Sequence, residues 1–187
     1  VNPYGADNPR AVAYDLATRS VRGGEDFDDI WHSDAALSHL SQRDRALAIH
    51  LAAGVLRRMR RLDAQARYLT DGKYQDLKEP VKWILRFGLF QVVDCDRIPP
   101  HAAVSTAVDA AKAVAHQGIA GLVNAVLRRA AREKEDLRAA EQSPPQTDNE
   151  LVYWGERLSM PDWLVEILFA RFGNNKPERI ERWANSP

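Results

Sequence analysis

Cys95 and five histidines are the side chains that could act as nucleophiles, bases or metal ligands. Cys95 stands between Asp94 and Asp96. Because negative neighbours disfavour a thiolate, the sequence predicts an inert thiol with a raised pKa. The histidines are His32, His39, His50, His101 and His116. They lack the spacing of metal-binding motifs, and His101, after Pro99-Pro100, is predicted to fix a helix start. We therefore expect no metal site and no catalytic residue here.

Glycines and paired acids give no indication of an enzyme either. Gly23-Gly24 follows a predicted helix, and Gly118 and Gly121 open one without a preceding strand. None of them forms the strand-to-helix turn that holds a nucleotide or S-adenosylmethionine. The pairs Asp28-Asp29 and Glu135-Asp136 lie in polar runs and are predicted to be solvated. The sequence therefore predicts a segment that is not catalytic by itself.

Rows of arginine offer a different chemistry, the binding of a polyanion. The first row has spacings of seven, seven and four residues and consists of Arg43, His50, Arg57 and Arg61. The second row consists of Asn124, Arg128 and Arg132. On a helix these spacings align the side chains, and a guanidinium can bridge phosphates or stack on unpaired bases. An ordinary charged helix face would show the same pattern. Arg86 differs, because its apolar helix predicts a buried partner.

The elements that must position these residues are all predicted to be helices, because apolar residues recur at helical spacing and no segment alternates as a strand does. Helices are predicted over residues 9–22 and 27–37, and a long one from Ser41 carries an apolar stripe from Leu47 to Leu62. The helix after Pro80 is apolar around most of its circumference, which predicts the centre of a bundle. Two more follow Pro99-Pro100 and Gln117.

Composition divides the chain into three parts. Residues 1–137 are predicted to form one helical domain, and residues 138–150 are polar with prolines, which indicates a linker. Residues 151–187 are predicted to form a helical extension. Its aromatic residues should pack on the main body or on a missing neighbour. The chain lacks an initiator methionine and ends abruptly, so we expect a piece of a longer protein.

Charge and hydropathy restrict where the protein works. The 26 basic and 26 acidic residues produce no global field for a polyanion, so any nucleic-acid affinity must come from a local patch. The single cysteine excludes an internal disulfide and indicates a reducing compartment. No apolar run approaches the roughly 20 residues that span a bilayer. We therefore predict a cytoplasmic protein without membrane contact.

Four phrases together match a known pattern in order and spacing. They are Ala53-Gly54-Val55-Leu56-Arg57, Leu85-Arg86-Phe87-Gly88-Leu89-Phe90-Gln91, Arg97-Ile98-Pro99-Pro100-His101-Ala102-Ala103-Val104, and Gly121-Leu122-Val123-Asn124-Ala125-Val126-Leu127-Arg128. Over residues 9–137 the chain resembles the NusB-like domain. This resemblance implies two small helical bundles packed together and a role in docking structured ribosomal RNA.

The extension distinguishes the two settings in which NusB-like domains occur. Some stand alone as antitermination factors that bind RNA with a ribosomal protein. Others begin the Sun/Fmu family of ribosomal RNA cytosine-5 methyltransferases. Met160-Pro161-Asp162-Trp163-Leu164 is similar to a segment of the methyltransferases, and residues 180–187 are similar to the start of their catalytic half.

The leading hypothesis is therefore the RNA-binding N-terminal domain of such a methyltransferase, with the catalytic domain and its S-adenosylmethionine downstream in cis. Arg57, Arg61 and Arg128 are predicted to hold phosphates. The remaining predicted RNA contacts are Arg10, Arg58, Arg129 and Arg132. Two alternatives stay open: a free-standing antitermination factor, and a protein-interaction bundle whose arginines only maintain solubility.

Overall fold

The computed structural model describes residues 2–6, 8–140, 149–172 and 179–180. These residues form eleven α-helices and no strand, which confirms the all-α prediction. The helices are α1 (Pro9–Gly23), α2 (Phe27–Ser33), α3 (Ala35–Ser38), α4 (Gln42–Arg57), α5 (Met59–Leu69), α6 (Glu79–Leu89), α7 (Pro100–Val114), α8 (Gln117–Arg132), α9 (Lys134–Ala140), α10 (Glu150–Leu158) and α11 (Asp162–Phe172). A 3₁₀ turn covers Lys73–Asp76, and a π-helical turn covers Phe90–Asp94.

Local capping residues set several helix ends where the sequence predicts them. The Asn8 side chain accepts hydrogen bonds from the backbone N–H groups of Arg10 and Ala11, both at 3.0 Å, at the start of α1. The same helix ends at Gly24, whose φ of 65° is unstrained only for glycine. Ser41 Oγ accepts from the N–H of Asp44 at 3.1 Å and opens α4.

Helix α6 lies at the centre, as its apolar circumference predicts. Trp83, Phe87 and their apolar neighbours in α6 are buried, and the helix contacts α4, α5, α7 and α8. Around it, α1 packs along α4 and α7 packs along α8. Ala103, Ala107 and Ala111 on the inner side of α7 are buried, and their small side chains let α8 lie close. In the described residues, no helix is long and apolar enough to cross a bilayer.

The sequence predicts a continuous helix from Ser41 through Leu62, and this prediction is wrong at Arg58. Arg58 separates α4 from α5, with φ of −114° and ψ of 14°. Its side chain lies over the Phe90 ring at 5.5 Å, and its Nε is 3.6 Å from Asp94 Oδ1. Because the break resets the helical phase, Arg61 does not continue the row of Arg43, His50 and Arg57.

Two other boundaries differ from the sequence predictions. The helix predicted over residues 27–37 is divided at Asp34, whose side chain accepts from the Ala36 N–H at 2.9 Å and caps α3. Helix α9 continues to Ala140, beyond the predicted start of the linker. Lys134 and Arg138 of α9 donate to Asp96 at 2.8 and 2.9 Å and lower the pKa of that carboxyl.

The predicted extension forms helices α10 and α11 over residues 150–172, in good agreement with the sequence. Helix α10 packs against α5 and α11. Residues 141–148, in the predicted linker, lie outside the described residues, as does most of the helix predicted over residues 177–184.

Candidate nucleic-acid interface

A groove of about 530 Å³ runs between the outer faces of α7 and α8, and the whole second predicted row lines it. We call it the α7–α8 groove. From α8 it receives Asn124, Arg128 and Arg132. From α7 it receives His101, Ser105, Asp109 and Lys112. Apolar side chains, including Val104, Val108 and Ala131, also line it.

The phase of α8 explains why these polar side chains face outwards. Ala120, Val123, Leu127 and Ala130 form the buried side of the helix. Residues 124, 128 and 132 follow one another at intervals of four, so they share a different face. The fold thus confirms the predicted alignment of this row, and the pairing of α7 with α8 gives it an apolar floor.

Arg128 and Arg132 are exposed and keep their charge uncompensated. Within the part of the chain that the structure describes, neither guanidinium forms an ion pair with a carboxylate. Lys112 donates to Asp109 at 3.0 Å on the same helix, so that lysine and that carboxylate offset each other. The groove therefore carries a local excess of positive charge on a chain whose formal net charge is zero.

Arg57 and Arg10 lie on other helices. Arg57 is exposed in the last turn of α4, where a cation also complements the helix dipole. Among the described residues it has no ion-pair partner. The Nε of Arg10 donates to Gln91 Oε1 at 2.8 Å, so this half-buried side chain also braces α1 against the π-helical turn.

Arg61 and Arg58 both approach one carboxylate, that of Asp94. Arg61 Nη2 lies 2.5 Å from Asp94 Oδ1, and the Arg61 side chain is only 13 % exposed. Arg58 reaches the same oxygen at 3.6 Å. The structure therefore places two predicted phosphate contacts in an ion-pair cluster that joins the α4–α5 break to the end of the π-helical turn.

Arg129 is held by neighbours on three sides. It donates to Glu133 at 2.9 Å and to Asp71 at 3.3 Å, and its guanidinium lies 4.8 Å from the Tyr68 ring centre. The hydrogen bond with Glu133 is the main cause of its raised pKa. Its charge is thus compensated locally, although it follows Arg128 directly.

Periodicity in the sequence did not connect α7 with this site. Ser105, Asp109 and Lys112 of α7 are exposed. Their position opposite Arg128 depends on which helix packs beside α8. The available signal was a set of four polar residues on the outer side of the alanine-rich α7: His101, Ser105, Asp109 and Lys112. The sequence did not identify the helix that packs beside them.

Comparison with known proteins gives the family. The model of the NusB family matches residues 9–132. The chain belongs to the NusB family. The match covers α1 through α8, and thus both walls of the α7–α8 groove.

The similarity to curated proteins extends beyond residues 9–132, the region that the NusB family model matches. The chain is 33 % identical, over 94 % of its length, to a probable ribosomal RNA small subunit methyltransferase B of Synechocystis sp., of which it covers 38 %. It is 39 % identical over 90 % of its length to ribosomal RNA small subunit methyltransferase B of Thermus thermophilus, covering 37 %. The corresponding protein of Pseudomonas putida is 36 % identical over 87 % of the chain, with 35 % covered. The chain thus spans less than two fifths of these relatives.

Cys95 and Arg86, the two unusual side chains that the sequence singled out, are both buried in this NusB-family chain. Cys95 is buried, and burial, followed by the Asp94 charge, raises the pKa of its thiol to about 11, which confirms the predicted direction. Arg86 is 7 % exposed and binds both carboxylate oxygens of Asp63, at 2.7 and 3.0 Å, as its apolar surroundings predict. Among the described residues, no cluster of three potential metal ligands occurs.

Proposed function

We propose that this NusB-family chain is the RNA-binding domain of an S-adenosylmethionine-dependent ribosomal RNA (cytosine-5) methyltransferase. The observation that carries the proposal is how far the similarity extends. The family match ends at residue 132. The match to the Synechocystis relative covers 94 % of the 187 residues and therefore leaves only about 11 unmatched. It consequently includes α10 and α11, which a free-standing NusB domain does not need.

The α7–α8 groove supports a role in RNA binding. Arg128 and Arg132 stand one helical turn apart with free guanidinium groups, so they can contact neighbouring phosphates. Val104, Val108 and Ala131 provide an apolar surface beside them for a sugar or a base. A local patch of this kind suits a chain without net charge, because binding then depends on placement rather than on a general field.

The proposal assigns the predicted arginines to different roles. Arg128 and Arg132 are the main phosphate contacts, and Arg57 is a separate one on α4. Arg58, Arg61 and Arg129 stabilise the fold through Asp94, Glu133 and Asp71. Arg10 remains a candidate at the edge of α1, since its Nε is already bonded to Gln91.

We place the binding site for S-adenosylmethionine outside the described part of the chain. These residues include no strand, and so no glycine-rich strand-to-helix turn of the kind that holds such a cofactor. The cofactor and the methylation step would therefore belong to a catalytic domain downstream in the same polypeptide. There the target base would be turned out of its stack, while this domain holds the RNA.

Salt-dependent RNA binding tests the proposal. Fragments of small-subunit ribosomal RNA are titrated with the protein at several salt concentrations. Arg128→Ala and Arg132→Ala should each weaken binding and reduce the slope of log K against log salt by about 0.7–0.9. Arg45→Ala is the matched control, because it removes an equally exposed arginine from α4. Arg61→Ala should lower stability but leave the slope unchanged.

Four outcomes would count against the proposal. Unchanged slopes for both groove variants would exclude the groove as the phosphate site. An equal loss for Arg45→Ala would indicate general charge rather than a site. Absence of binding at low salt would favour a protein-interaction bundle. A stop codon directly after Pro187 would instead favour a free-standing antitermination factor that works with a ribosomal protein.

A further inference from the structure

Helix α11 has apolar side chains on opposite sides, and the structure covers only one of them. Val165 and Leu168 are buried. Trp163 and Ile167, one turn apart, are 61 % and 55 % exposed, and the exposed Ala170 continues their row. A helix that is apolar all round is normally buried on every side. We call Trp163, Ile167 and Ala170 the outer face of α11.

The inner side of α11 already has its partner. The ring of Trp154 in α10 meets that of Phe169 edge-on, with centroids 6.5 Å apart. Because α10 packs on this side, α11 is held in place and its outer face is not the exposed side of a loosely attached helix. It is a separate apolar surface on a packed element.

The extension is fixed to the main body, so the outer face has a defined direction. Arg60 on α5 donates three hydrogen bonds to the extension. Its backbone N–H donates to Ser159 Oγ at 3.0 Å, while its guanidinium donates to the Met160 carbonyl and to Asp162, both at 2.6 Å. Arg67 forms a second ion pair, with Glu156. Gly155 packs directly against the Arg60 guanidinium, where a Cβ would lie 2.7 Å from Nη2.

Charge makes RNA a poor occupant of the outer face. Glu166 and Arg171 are both exposed on α11 and offset each other, while Asp162 is paired with Arg60. The outer face therefore has no excess of positive charge to hold a polyanion. The face offers a large indole and an isoleucine, which contribute most when water is excluded from both sides. These features favour an apolar protein surface.

The length of the relatives indicates which polypeptide could supply an apolar surface to cover the outer face. Their similarity to this chain includes α11, and about three fifths of their length lies outside the match. Only 15 residues separate Phe172 from Pro187, a distance of at most about 50 Å when fully extended. A domain that begins there is held near the outer face at high effective concentration.

We propose that the outer face of α11 is the docking surface for the polypeptide that follows Pro187 in the full-length protein. This inference rests on the proposed function, which places a catalytic domain there. Docking would give the RNA-binding groove a fixed orientation relative to that domain through α10, α5 and Arg60. The connection would be rigid rather than a flexible tether.

Solvent access to Trp163 tests this docking. Acrylamide quenching is measured on the 187-residue chain and on the full-length protein, and the Trp163 signal is isolated by subtracting the Trp163→Phe variant of each. Quenching of Trp163 should be strong in the shorter chain and lost in the full-length protein. Ile167→Glu in the full-length protein should restore it. Val21→Glu, at an apolar α1 position that is 47 % exposed, should leave it unchanged.

Each other outcome overturns the inference in a distinct way. Equal quenching in both lengths means that nothing docks. Protection that depends on protein concentration, with sedimentation as a dimer, identifies a second copy as the partner. Protection that appears only after RNA is added identifies an RNA contact. A reading frame that ends at Pro187 excludes a downstream domain. The salt slopes of the Arg128 and Arg132 variants are measured separately, so failure of RNA binding and failure of docking are distinguishable.

Discussion

Replacing Gly54 with alanine should destabilise this fold, although alanine ordinarily stabilises a helix. Gly54 lies inside α4 with no positive φ. At an unhindered helical position, alanine is favoured over glycine by about 1 kcal/mol. At Gly54, however, the added Cβ would lie 2.8 Å from Cε2 of Phe90 and closer still to two other ring carbons. Phe90 is only 1 % exposed, so its ring cannot turn into solvent to relieve the overlap.

The expected loss follows from these opposing effects. Relieving the overlap requires the ring or the helix to move by roughly 1 Å, and overpacking of this kind costs about 1–3 kcal/mol or more. Because the overlap involves three ring carbons, the cost lies at the upper end of this range. After subtraction of the helix-propensity gain of about 1 kcal/mol, Gly54→Ala should lower the free energy of unfolding by about 2 kcal/mol. Displacement of Phe90 should also disturb Arg58, which lies over the ring.

Urea denaturation measures this loss, and Gly121→Ala is its matched control. Gly121 also lies inside a helix, but an added Cβ there meets nothing within 4 Å. That variant should gain about 1 kcal/mol. The two substitutions should therefore move the unfolding midpoint in opposite directions. If Gly54→Ala were as stable as Gly121→Ala, the close contact between α4 and the π-helical turn would be refuted.

Two further substitutions test buried ionisable groups. Asp63→Ala removes the main partner of Arg86, and breaking a buried pair costs about 3 kcal/mol or more; a loss below about 1 kcal/mol in urea denaturation would contradict this pairing. The raised pKa of Cys95, about 11 against an ordinary 9.0, predicts a loss of stability as pH rises from 9 to 11, because the unfolded chain ionises first. Cys95→Ala should remove this part of the alkaline decline, and identical pH profiles for the two proteins would refute the burial of the thiol.

Short-range patterns were sufficient to predict most of the helices. Asn8 and Ser41 cap the helices that follow them, and Gly24 ends α1. The apolar circumference of α6 predicts its central position. These signals act within a few residues of the chain, so a single sequence contains them in full.

The state of each arginine depended on distant residues. Asp94, which holds Arg61, is 33 residues away in the sequence, and Asp71, which holds Arg129, is 58 residues away. Arg58 breaks the helix next to Phe90 and Asp94, while its own neighbours, Leu56 to Met59, are good helix formers. Periodicity alone therefore placed Arg61 and Arg57 in one row, and only the packing separates them.

The four phrases that resemble the NusB-like domain contain mainly residues that build the hydrophobic core. Gly54 of the first phrase faces Phe90 of the second, and a Cβ on Gly88 would lie 2.6 Å from Leu127 of the fourth. The first contact joins α4 to the π-helical turn, and the second joins α6 to α8, so they identify the fold without indicating RNA contact. Arg128 ends the fourth phrase but is exposed, and Arg132 lies beyond it. Since changes in the buried residues would weaken folding and binding together, RNA binding has to be tested at the groove, where side chains can be removed without loss of the core.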